Sequence, residues 1–155
     1  MRSWDNTLRE AMIAGGIASV LSTVALMVAG RREPRRPAAP VNAISHWVWG
    51  RPALRVDGAD LRHTLLGYLI HHAASLFWAT WHARLWGERP EAKRPLPALA
   101  GAAVASSVAC FVDFRLTPQR LTPGFEHRLS RRAIAGVYAS FAVALAIGSL
   151  LAARR

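Results

Sequence analysis

The sequence predicts an all-α integral membrane protein: a bundle of four membrane-spanning helices, with a short interfacial or re-entrant helix between the first and second. Three observations carry the prediction. Apolar residues make up 52% of the 155-residue chain, although 20 residues are lysine or arginine. The apolar residues gather into four long runs, and the charges fall between them. Each run holds about 17 to 21 residues, which at ~1.5 Å rise per residue matches the roughly 30 Å of a hydrocarbon core.

The first span covers about 11–30. Thr7, with Glu10 three positions later, predicts a capping box at its start. Asp5 and Glu10 precede it, and its apolar part exceeds the ~7 to 15 residues of a signal-peptide core, so it reads as a retained helix. Ala11, Gly15, Ser19 and Thr23 recur every four positions and make a face of small residues.

The second span, about 64–84, differs in kind: Tyr68, Phe77, Trp78, Trp81 and the adjoining Trp86 accompany His71, His72 and His82. Asp60 is its expected N-cap. At about 100° per residue, His71, Ser75, Trp78 and His82 fall on one stripe, with His72 beside it. The late tryptophans and Arg84 read as an interfacial belt.

The third span, about 96–113, places Pro95 and Pro97 at its first turn, where a missing N–H costs nothing, and repeats small residues at Gly101, Ala105 and Ala109. The fourth, about 133–153, has Ser130 as its expected N-cap. Gly136, Ser140, Ala144 and Gly148 form a shallow ridge along it. In lipid, helices associate through close backbone packing, so the ridge is an expected helix contact, within the bundle or between copies. Residues 1–155 read as a single transmembrane domain.

Of the three connections, Gly87 to Pro95 is short and polar. The first long connection, Arg31 to Asp60, opens with a proline-stiffened basic collar, Arg31-Arg32-Glu33-Pro34-Arg35-Arg36-Pro37. It continues into segment 41–50, Val41-Asn42-Ala43-Ile44-Ser45-His46-Trp47-Val48-Trp49-Gly50, which is too short to span and reads as the interfacial or re-entrant helix. Its i, i+4 pairs, Asn42 with His46 and Ser45 with Trp49, would make one face polar. The second, Asp113 to Arg132, carries two Thr-Pro steps and a Pro-Gly turn, and reads as an ordered loop.

A net charge of +11 raises the question of nucleic acid. The arginines cluster at helix ends instead of along one exposed face, which argues against it. The expected partners are the lipid bilayer, including anionic headgroups met by the Arg31 to Arg36 collar, and a second copy or another membrane protein. The two long connections with Arg62 hold twelve basic residues and the opposite ends eight, a thin positive-inside margin for both long connections being cytoplasmic. The lone Cys110 can form no intramolecular disulfide.

An even number of crossings separates the long connections, so they share one face of the membrane. The candidate polar site gathers there: Asn42, His46, His63, His71, His72, Asp113, Arg120 and Glu126, with His71 and His72 about 12 Å deeper than His63 at helical rise. An ionisable residue inside a membrane is a functional candidate because burying its charge is costly. For histidine three readings stay open: structural hydrogen bonding, metal or haem ligation, and proton handling. Bis-histidine haem needs ligands from two helices, and the first, third and fourth spans have none, so His46 or a second subunit would have to serve. A zinc site would draw on His46, His71, His72 and Asp113, without an HxxxH or HExxH spacing to support it. No cofactor is therefore the simplest expectation, with haem or zinc as the alternatives. No nucleophile elbow, P-loop or CxxC occurs, so no catalytic motif supports an enzyme.

Three strings carry a resemblance: Pro40-Val41-Asn42-Ala43-Ile44-Ser45-His46-Trp47-Val48-Trp49-Gly50; His63-Thr64-Leu65-Leu66-Gly67-Tyr68-Leu69-Ile70-His71-His72; and Arg120-Leu121-Thr122-Pro123-Gly124-Phe125-Glu126. They resemble an uncharacterised family of small four-helix bacterial inner-membrane proteins with no assigned activity. Across most of the chain, the resemblance implies a multi-pass fold in the bacterial inner (cytoplasmic) membrane, and no more. Two function classes follow. One is a non-enzymatic accessory or assembly component. The alternative is a proton- or metal/haem-handling membrane protein using the histidine cluster near one membrane face.

Overall fold

The computed structural model describes residues 4–33, 36–87 and 89–153. Pro34 and Arg35 of the basic collar lie outside the described residues. Among the described residues the chain is helical, with no strand. The helices are α1 (Trp4–Arg32), α2 (Ala39–Ile44), α3 (His46–Trp49), α4 (Leu66–His82), α5 (Pro95–Phe111) and α6 (Arg131–Ala152). Five-residue π-helical turns, Leu61–Leu65 and Ala83–Gly87, flank α4 without interruption.

Three helices are long and apolar enough to cross a membrane: Trp4–Arg32, Pro95–Leu116 and Arg131–Ala152. The expected second span is helical throughout. However, His71, His72 and its tryptophans dilute the aliphatic content, and it is not among the three. Local caps agree with the sequence. Asp60 accepts the His63 backbone N–H at 2.5 Å. Ser130 Oγ accepts the Ala133 N–H at 3.2 Å, and Pro95 opens α5. The capping box does not form, because α1 begins at Trp4 and places Thr7 and Glu10 inside the helix, both buried. Asp5 occupies its first turn, where a carboxylate complements the helix dipole.

The chain divides into two compact units. The first contains α1 up to Ser22, His72–Ala109 and α6 from Tyr138; the second contains Thr23–His71 and Cys110–Val137. In the first unit, alanines meet in one buried cluster: Ala11, Ala14 and Ala18 of α1, Ala79 and Ala83 around the end of α4, Ala98 and Ala102 of α5, and Ala144 and Ala146 of α6, with Phe141 and Leu145. Small side chains let backbones approach, so contact area comes from the backbones themselves. The predicted ridge on α6 divides accordingly. A Cβ added at Gly148 would lie 2.5 Å from Ala14 Cα, whereas one at Gly136 would meet nothing within 4 Å.

The second unit is built around α2, whose six residues are all buried. Neighbouring glycines make room for it. A Cβ on Gly67 would collide with the Val41 carbonyl, and Gly124, at φ 90°, lies against the Ala43 carbonyl and His46. The two long connections meet here, as expected of ordered loops. Trp47 Nε1 donates to the Thr122 carbonyl at 2.8 Å, and Arg128 donates to the Leu54 carbonyl at 2.9 Å and to Asp57. Glu33 accepts the Ser130 N–H at 2.6 Å and its hydroxyl at 2.5 Å.

Candidate functional site

Two polar clusters stand out, one in each unit. In the second unit the hub is Asn42. Its amide donates to the Val56 carbonyl at 3.1 Å and the Gly58 carbonyl at 2.7 Å, and its side-chain oxygen accepts from Thr64 at 2.6 Å. Thr64 in turn accepts the Asp60 N–H at 3.0 Å. Asp60 also takes the His63 ring N–H at 2.9 Å. Accepting first the backbone N–H and then the ring N–H of His63 holds the Asp60 carboxyl below the usual carboxylate range. Glu33 is lowered likewise by the hydroxyl and then the N–H of Ser130.

This network joins Asn42 and His63 of the sequence candidates, and adds Thr64 and Asp60. His46 turns instead to its own helix, where Nδ1–H donates to the Ala43 carbonyl at 2.8 Å. That carbonyl can only accept, so in the neutral ring Nε2 carries the lone pair; it is buried without a hydrogen-bond partner among the described residues. The predicted polar face pairing Asn42 with His46 is broken at Ser45, where α2 ends. Glu126 faces His127 at 3.8 Å, and Arg120 is exposed. His71 and Asp113 are half-buried in the same unit. His72 belongs to the first unit, where its Nδ1 lies 2.9 Å from Ser19 Oγ. Among the described residues, no group of three or more His, Cys, Asp or Glu side chains is placed to hold a metal ion.

The first unit holds a cluster that the sequence reading did not assemble. Glu10, only 2% exposed, accepts from Ser149 Oγ at 2.6 Å and from Lys93 Nζ at 3.2 Å. Gly87 lies against the same carboxylate, where any Cβ would collide. His82, 4% exposed, is within electrostatic reach of Glu10 and Lys93, and neither ring nitrogen has a hydrogen-bond partner among the described residues. Thr7 Oγ1, one helical turn before Glu10, is also buried and unpartnered among them. The π-helical turn Ala83–Gly87 begins immediately after His82. Such turns recur at functional sites because they free backbone groups from the regular ladder.

The sequence signal for this cluster was present but ambiguous. Glu10 at Thr7+3 satisfies the spacing of a cap, and His82 falls on the histidine stripe, so each had a sufficient local explanation. In the structure the buried face of α4 carries Ser75, Ala79 and His82, while Trp78 of the predicted stripe is only half-buried. Arginines stack on tryptophans: Arg84 lies 5.3 Å from the Trp4 ring and Arg89 4.9 Å from Trp86 in the first unit, and Arg62 4.3 Å from Trp49 in the second.

No protein-family model, curated protein or solved structure matches the chain.

Proposed function

We propose that this chain is a non-enzymatic accessory or assembly component of a bacterial inner membrane, crossing it four times as a four-helix bundle. The observation that carries the reading is how the polar groups of the second unit are used. Asn42, Thr64, Asp60, Trp47, Arg128 and Glu33 direct their hydrogen bonds at loop backbone and at one another, which fixes the loops and leaves little for a substrate. In this reading, helix Leu61–Gly87 is the second of the four crossings, its histidines tolerated because they pack inside protein. Segment 41–50 lies at the interface, both long connections share one side, and the tryptophan–arginine pairs sit at headgroup level. The partners are anionic lipid headgroups and a second copy or another membrane protein.

Two measurements on detergent-purified or membrane-embedded protein test it. Elemental analysis and a visible spectrum are expected to be blank; a Soret band or one equivalent of bound metal overturns the non-enzymatic reading in favour of haem or metal handling. Single cysteines at Arg51, Arg120 and Lys93, with Cys110 replaced, test the crossings. Labelling of Arg51 and Arg120 from one side and Lys93 from the other is expected; Lys93 labelled from the same side as Arg51 refutes four spans.

A further inference from the structure

The cluster around Glu10 is chemically unlike the second unit's network, because among the described residues neither ring nitrogen of its histidine has a hydrogen-bond partner. A neutral imidazole carries one N–H donor and one lone pair, and His82 offers both in a buried setting where an unmet polar group is costly. A group kept at that cost, beside a buried carboxylate, at the start of a π-helical turn, is placed for something that comes and goes. Lys93 is the one member of the set in partial contact with water, its side chain 29% exposed.

We propose that Glu10, His82 and Lys93 form a proton-binding site, in which His82 takes the proton and Glu10 exchanges its counter-ion from Lys93 to His82. The balance is simple. A hydronium ion arriving past Lys93 gives its proton to the His82 lone pair and leaves as water; on release the same N–H bond breaks, and water carries the proton away. While His82 is neutral, Glu10 and Lys93 neutralise each other at 3.2 Å. Once His82 is charged, the buried pair is Glu10 with His82, and Lys93 turns its flexible stem outward. A dry site holds one net pair of charges far more readily than an unbalanced third.

The surroundings suit this assignment. α1 presents Glu10 and also Arg9, whose guanidinium donates to the Ala152 carbonyl at 3.2 Å. The 87–95 connection contributes Lys93, and on α4 itself the next histidine inward is His72, ten positions away. Within the first unit, α5 carries no titratable side chain, and α6 only Tyr138, eleven positions from Ser149. A proton needs one lone pair and one counter-ion, which the site has; a metal needs a third ligand, which the described residues lack.

The proposal draws on the membrane reading only for the dryness of the site, and cysteine labelling tests that reading separately. The test is nuclear magnetic resonance of the full-length protein in detergent with carbon-labelled histidine, His82→Asn identifying the His82 signal by its loss. The ring is expected to take up and release a single proton across the pH range over which the protein stays folded. In Glu10→Gln the midpoint falls, and in Lys93→Met it rises, each by about one pH unit or more, because opposite and like charges at this range act in opposite senses. Lys93→Met removes a partly exposed side chain and keeps the test open if Glu10→Gln does not fold. A His82 ring silent over that range, or a midpoint unmoved by Lys93→Met, overturns the proposal.

Discussion

Replacing Asn42 by alanine removes three hydrogen bonds from the centre of the second unit. The amide is shared by the Val56 and Gly58 carbonyls at 3.1 and 2.7 Å, and its oxygen by the Thr64 hydroxyl at 2.6 Å. A buried polar group left without its partner costs about 1–3 kcal/mol. These contacts are only part-buried, so the lower end applies to each, and Asn42→Ala should cost about 3 kcal/mol. For a chain of this size about 1 kcal/mol moves Tm by roughly 2–4 °C, so a loss of roughly 6–12 °C is expected. Tryptophan fluorescence during thermal unfolding in detergent measures it, and limited proteolysis should show faster cleavage between residues 50 and 60. Asn42→Asp is the sharper control. It preserves shape and the bond from Thr64, but sets a carboxylate against two carbonyls, and should destabilise at least as much. If either variant unfolds within about 2 °C of wild type, the network does not hold the loops, and the structural use assigned to these side chains is wrong.

Two further outcomes test other parts of the fold. Gly148→Ala should cost about 1–3 kcal/mol, because the new methyl meets the Ala14 backbone at 2.5 Å, whereas Gly136→Ala, with open space within 4 Å, should be close to neutral; equal effects would refute the α1–α6 contact. Asp60→Asn tests the cap of the second predicted span through pH. The folded carboxyl lies below its ordinary value, so its contribution is complete above the unfolded value of about 3.9 and is lost as pH falls through the folded one. The difference between wild type and Asp60→Asn should therefore be constant near neutrality and vanish in strong acid. A difference that persists there would place its origin outside the carboxylate.

Much of the local structure was legible because it depends on residues within a turn or two of each other. An apolar run, a proline pair or a capping aspartate acts through i to i+4 contacts, so the long helices, Pro95 at the start of α5 and the caps at Asp60 and Ser130 follow from spacing alone. The same locality misled at Thr7 and Glu10. Their spacing satisfies a cap, yet Glu10 finds Lys93, 83 positions away, and Ser149, 139 away. No local pattern distinguishes a carboxylate that caps its own helix from one that is met by two distant segments.

The candidate site divides along that line. Asn42 and His46 were recognisable as polar residues in an apolar segment, and their burial follows from it. Which groups they bond was decided by how the 50–60 stretch and the loop at Gly124 fold over α2, and such contacts are set by packing. The sequence by itself determined that this chain is helical and marked four long apolar runs, of which three form helices long and apolar enough to cross a membrane, because hydropathy and helical period are properties of short windows. Only the tertiary structure decided which polar side chains are spent on holding loops and which histidine nitrogens, those of His82 and Nε2 of His46, find no hydrogen-bond partner among the described residues. Burial, and with it the cost of an unmet hydrogen bond, depends on what the distant chain brings alongside.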